Sequence, residues 1–297
     1  MDTLLRDLTY AARGLRKNVG FATVATITIA LGIGACTAIF SVVHAVLLRP
    51  LPYADASRLV IVWGELRARN VKDWTFSPPD FRDLQLQSTA AFDDLAATFG
   101  AGRTPISEQG GQPEQIRVAG ATTNFFRLLG ARIIVGRDYI DADATPEAQA
   151  PPGQTPPPAR LPQIAILSYG LWQRRYGGDP AIVGTDVDLG GGPAQIVGVL
   201  APDFELLFPT RANMERVPDM WTALRIDYET FNRNNVGLRV IGRLKPGVTL
   251  EQANRQVERT ASDLRSIFRS SRRRASIFMR CRCTRTSSAM SVRRSCR

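Results

Sequence analysis

Residues 21–48 read FATVATITIALGIGACTAIFSVVHAVLL. The 28 residues contain no Asp, Glu, Lys or Arg, and the one histidine, His44, can stand neutral. Bilayer hydrocarbon is about 30 Å thick, and about 20 apolar residues span it as a helix. At about 1.5 Å per residue this run reaches roughly 42 Å, so a helix here tilts in the bilayer or projects beyond it. In lipid only a helix or a closed barrel satisfies its own backbone polar groups, so the expectation is a transmembrane helix over 21–48.

Two other readings fit less well. A core helix of a soluble domain rarely runs uncharged for this long. A cleaved secretory signal has an apolar region of about 7–15 residues, well short of this one. Ahead of the span stand Arg6, Arg13, Arg16 and Lys17, against Asp2 and Asp7; Arg49 follows it closely. Basic flanks favour the cytoplasmic side, so the N-terminus is expected inside and residues 49–297 outside. Within 1–20, residues 3–17 place Leu4, Leu8, Ala11, Ala12 and Leu15 on one face at helical spacing. That pattern predicts an amphipathic helix in the inner headgroup layer, its basic side chains reaching lipid phosphates.

The 297 residues carry a formal charge of +11. Ten of the 38 Lys and Arg are arginines after Ile267, where there is no acid; the rest of the chain holds 28 basic against 27 acidic residues. The body is therefore nearly neutral, and a nucleic-acid partner is not expected from its charge. The cysteines are Cys36 in the span and Cys281, Cys283 and Cys296 near the C-terminus, so residues 49–267 hold none. With no acid and an Arg/Ser/Cys bias, 268–297 is expected to be a disordered basic tail. Its change of composition at Phe268 fits translation out of frame.

Between the span and the tail the expected elements are mixed. Leu59–Trp63 reads as a buried strand. Ser77-Pro78-Pro79-Asp80 opens a helix on which Phe81, Leu84, Phe92 and Leu95 recur near helical spacing. A strand over 115–121, a short helix over 123–129 stopped by Gly130, and an irregular Pro-rich stretch over 144–162 follow. Residues 163–167 form a strand leading to a helix with Tyr169, Leu171, Trp172 and Tyr176. Residues 186–189 and 194–200 make a hairpin around Gly190-Gly191-Gly192. That triple glycine joins two strands and lacks the Lys-Ser/Thr of a phosphate-binding loop. A strand over 236–244 precedes a helix begun by Thr249 with Gln252 as a capping box and Leu250, Ala253, Val257, Ala261 and Leu264 on one face. The fold class is α+β.

No catalytic, cofactor-binding or metal-binding residue is assigned. One histidine, inside the span, excludes a His-based triad and His-rich zinc spacing. Asp80, Asp93, Asp94 and Asp179 fall where turns and helices begin, the usual place of caps and solvated charges. Cys281-x-Cys283 lacks a second pair. An enzyme is not expected.

Six segments taken together resemble the permeases of the MacB/FtsX class of ABC transporters, in family order: 7–53, SPPDFRDLQ at 77–85, VAGATTNFFRLLGARIIVGRDY at 118–139, ILSYGLWQRRYGGDPAIVG at 166–184, IVGVLAPDFE at 196–205 and RLKPGVTLEQAN at 243–254. The resemblance covers 1 to about 267. It implies a cytoplasmic-face helix over 1–20, the first membrane helix at 21–48, and a MacB-like periplasmic core over 49–267 of two subdomains, one inserted at roughly 126–217. It further implies an inner-membrane location, an ABC ATPase partner that hydrolyses ATP in the cytoplasm, a homodimer or second permease, and a role in efflux by mechanotransmission. Three later membrane helices of that class have no counterpart here, which leads to the expectation of a truncated permease. The alternative function is a single-pass anchored periplasmic binding or scaffold module without transport.

Overall fold

The computed structural model describes residues 16–43, 53–66, 70–108, 112–146, 161–206, 217–267 and 277–283. They fall into two units, residues 1–51 and 52–297. The described residues of the first are one long helix, α1 (Val19–Val43), with Arg16 and Lys17 also helical just ahead of it. Of the amphipathic helix expected over 3–17, all but those two residues lie outside the described residues, as does His44.

The second unit is a mixed sheet with helices on its faces. Its strands are β1 (Leu59–Leu66), β2 (Val71–Trp74), β3 (Phe92–Ser107), β4 (Glu114–Ala121), β5 (Ile133–Gly136), β6 (Gln163–Leu167), β7 (Asp186–Leu189), β8 (Pro193–Leu200), β9 (Met220–Ala223), β10 (Leu238–Leu244) and β11 (Ile277–Cys283). Its helices are α2 (Pro78–Gln87), α3 (Phe125–Leu129), α4 (Tyr169–Tyr176) and α5 (Leu250–Ile267). The spatial order is β11-β1-β10-β3-β4-β9-β6-β8-β5, with β2 on β1 and β7 bridging β3 and β8. Among the described strands only β4/β9 and β6/β8 run parallel. This is the expected α+β class.

The sixteen-residue strand β3 divides the unit. Its first half pairs with β10, Ala97 opposite Val240. The register shifts between Phe99 and Gly102, and the second half pairs with β4 on one edge and β7 on the other. From there β4, β9, β6, β8 and β7 return to β3, so six strands close a ring. Ile106, Ile116, Ala165, Leu167, Val187, Ala194, Ile196 and Met220, at least one from each ring strand, share one apolar cluster with Leu171 and Trp172 of α4. Period-2 alternation sets which side chains face this cluster: Ala165 and Leu167 enter it, whereas Ile164 and Ile166 belong to another.

On the β11-β1-β10 side, α2 and α5 cover one face. Val60, Val62, Val240 and Leu244 pack with Phe81 and Leu84 of α2 and with Ala253, Val257, Ala261 and Leu264 of α5. The alternate residues Leu59 and Ile241 turn to the other face and join the cluster of Phe125 and Phe126 of α3. With both faces covered, β1 is buried throughout, which is why LVIVWGEL is continuous rather than alternating. Trp221 anchors this second cluster, its ring 5.4 Å from the centroids of both Phe125 and Phe126.

Local signals worked where they were chemically specific. Ser77 accepts the Asp80 N–H and caps α2, with prolines in its first turn. Thr249 and Gln252 exchange both capping-box hydrogen bonds, at 3.2 and 2.8 Å. Gly130 ends α3 at φ 71°, where an added Cβ would lie 2.5 Å from that of Ala54. Two expectations change. Phe92 and Leu95 are not on α2, which stops at Gln87; both begin β3. Seven residues of the tail expected to be disordered form β11, paired antiparallel with β1 from Val60 opposite Cys283 to Leu66 opposite Ile277. The sequence IFMRCRC does alternate, and its Met279 and Cys281 are buried against α5 and β1. The rest of 268–297 lies outside the described residues.

Candidate functional site: an apolar anchor and the polar faces of the folded unit

The first functional feature is α1. Val19–Ser41 forms 23 residues long and apolar enough to cross a membrane, at mean hydropathy 1.9, and none of the span is buried. Phe21, Val24, Ile27, Leu31, Ile33 and Phe40 point outward around the whole circumference. A helix apolar on every side is stable only inside a core or in lipid. Two of its hydroxyls are satisfied within the helix: Thr23 donates to the Val19 carbonyl and Thr28 to that of Val24, each at 2.8 Å, so neither needs water. The described helix starts two residues earlier than the span expected at 21–48, and the end of that span lies outside the described residues.

On the folded unit, the polar groups are organised by arginines. Arg175 on α4 holds Glu108 through two parallel bonds, Nε to Oε1 at 2.9 Å and Nη2 to Oε2 at 2.6 Å. Its Nη1 reaches Glu114 Oε2 at 3.0 Å, and Arg174 adds bonds to Glu114 and Asp219. Tyr176 donates to Glu108 at 2.8 Å. The bonds from Arg175, and then that from Tyr176, hold the Glu108 carboxyl below the usual range against the opposing effect of burial. Burial and the neighbouring Glu108 push the Tyr176 phenol up. The cluster ties α4 to the ends of β3 and β4. Every acid in it is matched by a guanidinium, which describes a clamp rather than an acid/base pair.

The aspartates singled out in the sequence are likewise structural. Asp80 and Asp83 both accept from Arg233. Asp93 pairs with Arg58 at 2.7 Å. Asp94 accepts from the Leu95 N–H and from Asn124 Nδ2. Asp179 caps the turn at Pro180–Ile182 by accepting from Ala181. At the triple glycine, the Gly190 N–H donates to the Pro105 carbonyl and that of Gly191 to Asp188 Oδ1. Those donors are committed, one to β3 and one within the hairpin, and neither is left for an anion. Among the described residues no three His, Cys, Asp or Glu side chains gather as a metal site. Cys281 is buried, and burial pushes its thiol up to about 12. The Arg174–Arg175 clamp was not foreseen; adjacent arginines on a short helix were its one signal in the sequence.

The profile of the MacB-like periplasmic core domain family matches residues 22–260. The chain belongs to that family. The match takes in most of α1 and the folded unit from β1 into α5. Two solved structures share the fold. A domain of a permease protein from Porphyromonas gingivalis superposes with a TM-score of 0.52 at 15% identity, over 78% of this chain and 92% of that one. The periplasmic region of MacB from Actinobacillus actinomycetemcomitans gives 0.52 at 11% identity, over 78% and 91%. No curated protein sequence matches the chain. The expected family is therefore the right one, and the chain joins one candidate membrane helix to a MacB-like periplasmic core domain.

Proposed function

We propose that the chain anchors in the bacterial inner membrane through α1, with its N-terminus in the cytoplasm and its MacB-like core outside, and that it works with an ABC ATPase. In this role the core converts ATP-driven movement in the cytoplasm into movement on the far side of the membrane, for efflux. The observation that carries the reading is the match over 22–260, which joins a fully exposed apolar helix to the permease core in one chain. The two-subdomain organisation, with an insertion near 126–217, belongs to the same proposal; the separate apolar cluster within the six-strand ring supports it. Pairing with a second permease chain or a second copy belongs to the same proposal.

Co-purification tests this. The tagged chain, extracted from its native membrane in mild detergent, is expected to bring down an ATPase carrying nucleotide-binding motifs. Recovery of the chain with other envelope proteins and no ATPase would instead identify an anchored scaffold.

A further inference from the structure

Beyond the anchor and the clamp, the described residues of the folded unit form a polar cleft that no role above uses. It measures about 630 Å³ and lies where β6 begins, β9 ends and the 225–235 segment passes over. That is the volume of a small-ligand site. Gln163, Thr222, Arg225, Asp227, Phe231 and Asn235 line it.

The chemistry of this lining is selective. Arg225 is committed to the protein's own backbone: its Nε donates to the Asp143 carbonyl at 3.1 Å and its Nη2 to that of Pro162 at 2.8 Å. Asp227 is committed too, accepting from the Glu229 N–H at 3.0 Å and from the Thr230 hydroxyl at 2.8 Å. One positive and one negative group therefore balance, and neither is free to capture an ion. The Gln163 and Asn235 amides and the Thr222 hydroxyl have no hydrogen-bond partner among the described residues. Each offers a donor and an acceptor. Phe231 adds a half-buried aromatic side chain.

We propose that this cleft binds a neutral sugar. Paired donors and acceptors on planar amides suit adjacent hydroxyls, and an aromatic ring suits the C–H face of a pyranose. A peptide fits less well. Extended peptides dock by adding to a free strand edge, whereas β6 is paired on both edges by β8 and β9, and β9 by β4 and β6. An apolar solute would leave the free amides unpaired, at a cost of about 1–3 kcal/mol each if desolvated.

The test uses the full chain in a detergent without a sugar headgroup. Saturation-transfer NMR and calorimetry are run with chitotriose, maltotriose and, as the peptide control, tetra-alanine. Binding of either sugar is expected, weakened at least tenfold in Asn235→Ala and in Phe231→Ala, with thermal unfolding of both variants unchanged. Overturning results are binding of neither sugar, preference for tetra-alanine, or sugar binding that survives both substitutions.

Discussion

At the residue scale, stability outside the apolar clusters depends on how arginines meet carboxylates. Exposed ion pairs such as Arg255–Glu251 contribute little. Arg175 differs, because its side chain is 13% exposed and its fork is matched on two acids. Arg175→Ala is expected to destabilise the folded unit by about 2 kcal/mol, since charged hydrogen bonds are lost and Glu108 is stranded. Arg175→Lys should recover less than half, because an ammonium cannot reproduce the fork. Denaturant unfolding of the three proteins measures both. The pH dependence has a definite sign. Glu108 titrates lower when folded, so its contribution is present above the unfolded carboxyl pKa of about 4.3 and is lost as pH falls through the lower folded value. Arg175→Ala should flatten that acid-side loss in a series of melting temperatures. Cys281 makes a second residue-scale prediction. Buried, with its thiol pushed up to about 12, it should resist iodoacetamide at pH 8 and react only when the protein is unfolded, as peptide mass spectrometry would read.

At the scale of elements, chemically specific signals were legible and long-range pairing was not. The capping box of α5, the Gly130 stop of α3 and the Gly190–Gly192 hairpin each rest on a few neighbouring residues. By contrast, β3 begins Phe-Asp-Asp-Leu-Ala-Ala and contains Gly100 and Gly102, a poor strand former taken alone. It is a strand because β10 and β4 flank it, and the partner of its first half, β10, lies more than a hundred residues off in sequence. The four-residue strands β5 and β9 are hidden for the same reason, and β2, Val-Lys-Asp-Trp, is too short and polar to show as a strand although its partner β1 is close in sequence. Composition hid β11: an arginine-rich background concealed its alternation. Its Arg280 reaches Glu65 at 3.3 Å, and the Cys281 N–H donates to Asn254 Oδ1 at 2.7 Å. Ending the chain after Ile267 should therefore bare the outer edge of β1 and remove the burial of Met279. The expected result is a loss of about 2–4 kcal/mol and concentration-dependent self-association, read by unfolding and by light scattering. For α1, Ile33→Arg places a charge near mid-helix, worth about 2.5–3.5 kcal/mol against insertion. Fractionation should then show less of the chain in the membrane pellet.

At the scale of the whole molecule, the candidate site was legible mainly as an anchor. An uncharged run is visible without any tertiary information, whereas the polar cleft and the arginine clamp are joined by bonds between residues 45 to 67 apart. Charge sums carried little information about the body, because the excess sits in the last thirty residues. Orientation is open to direct measurement. Protease added to intact spheroplasts is expected to digest the folded unit and spare an N-terminal tag. Protection of the unit until lysis would reverse the proposed topology.

The shared strand β3 also has a mechanical consequence. At about 3.3 Å per residue, sixteen residues make a tie rod roughly 50 Å long, common to the helix-covered layer and the closed ring. Neither half can swing away as a free body. Any twist of one against the other is absorbed at the register slip between Phe99 and Gly102, so the stiffness of those few residues governs how much torque one half hands to the other.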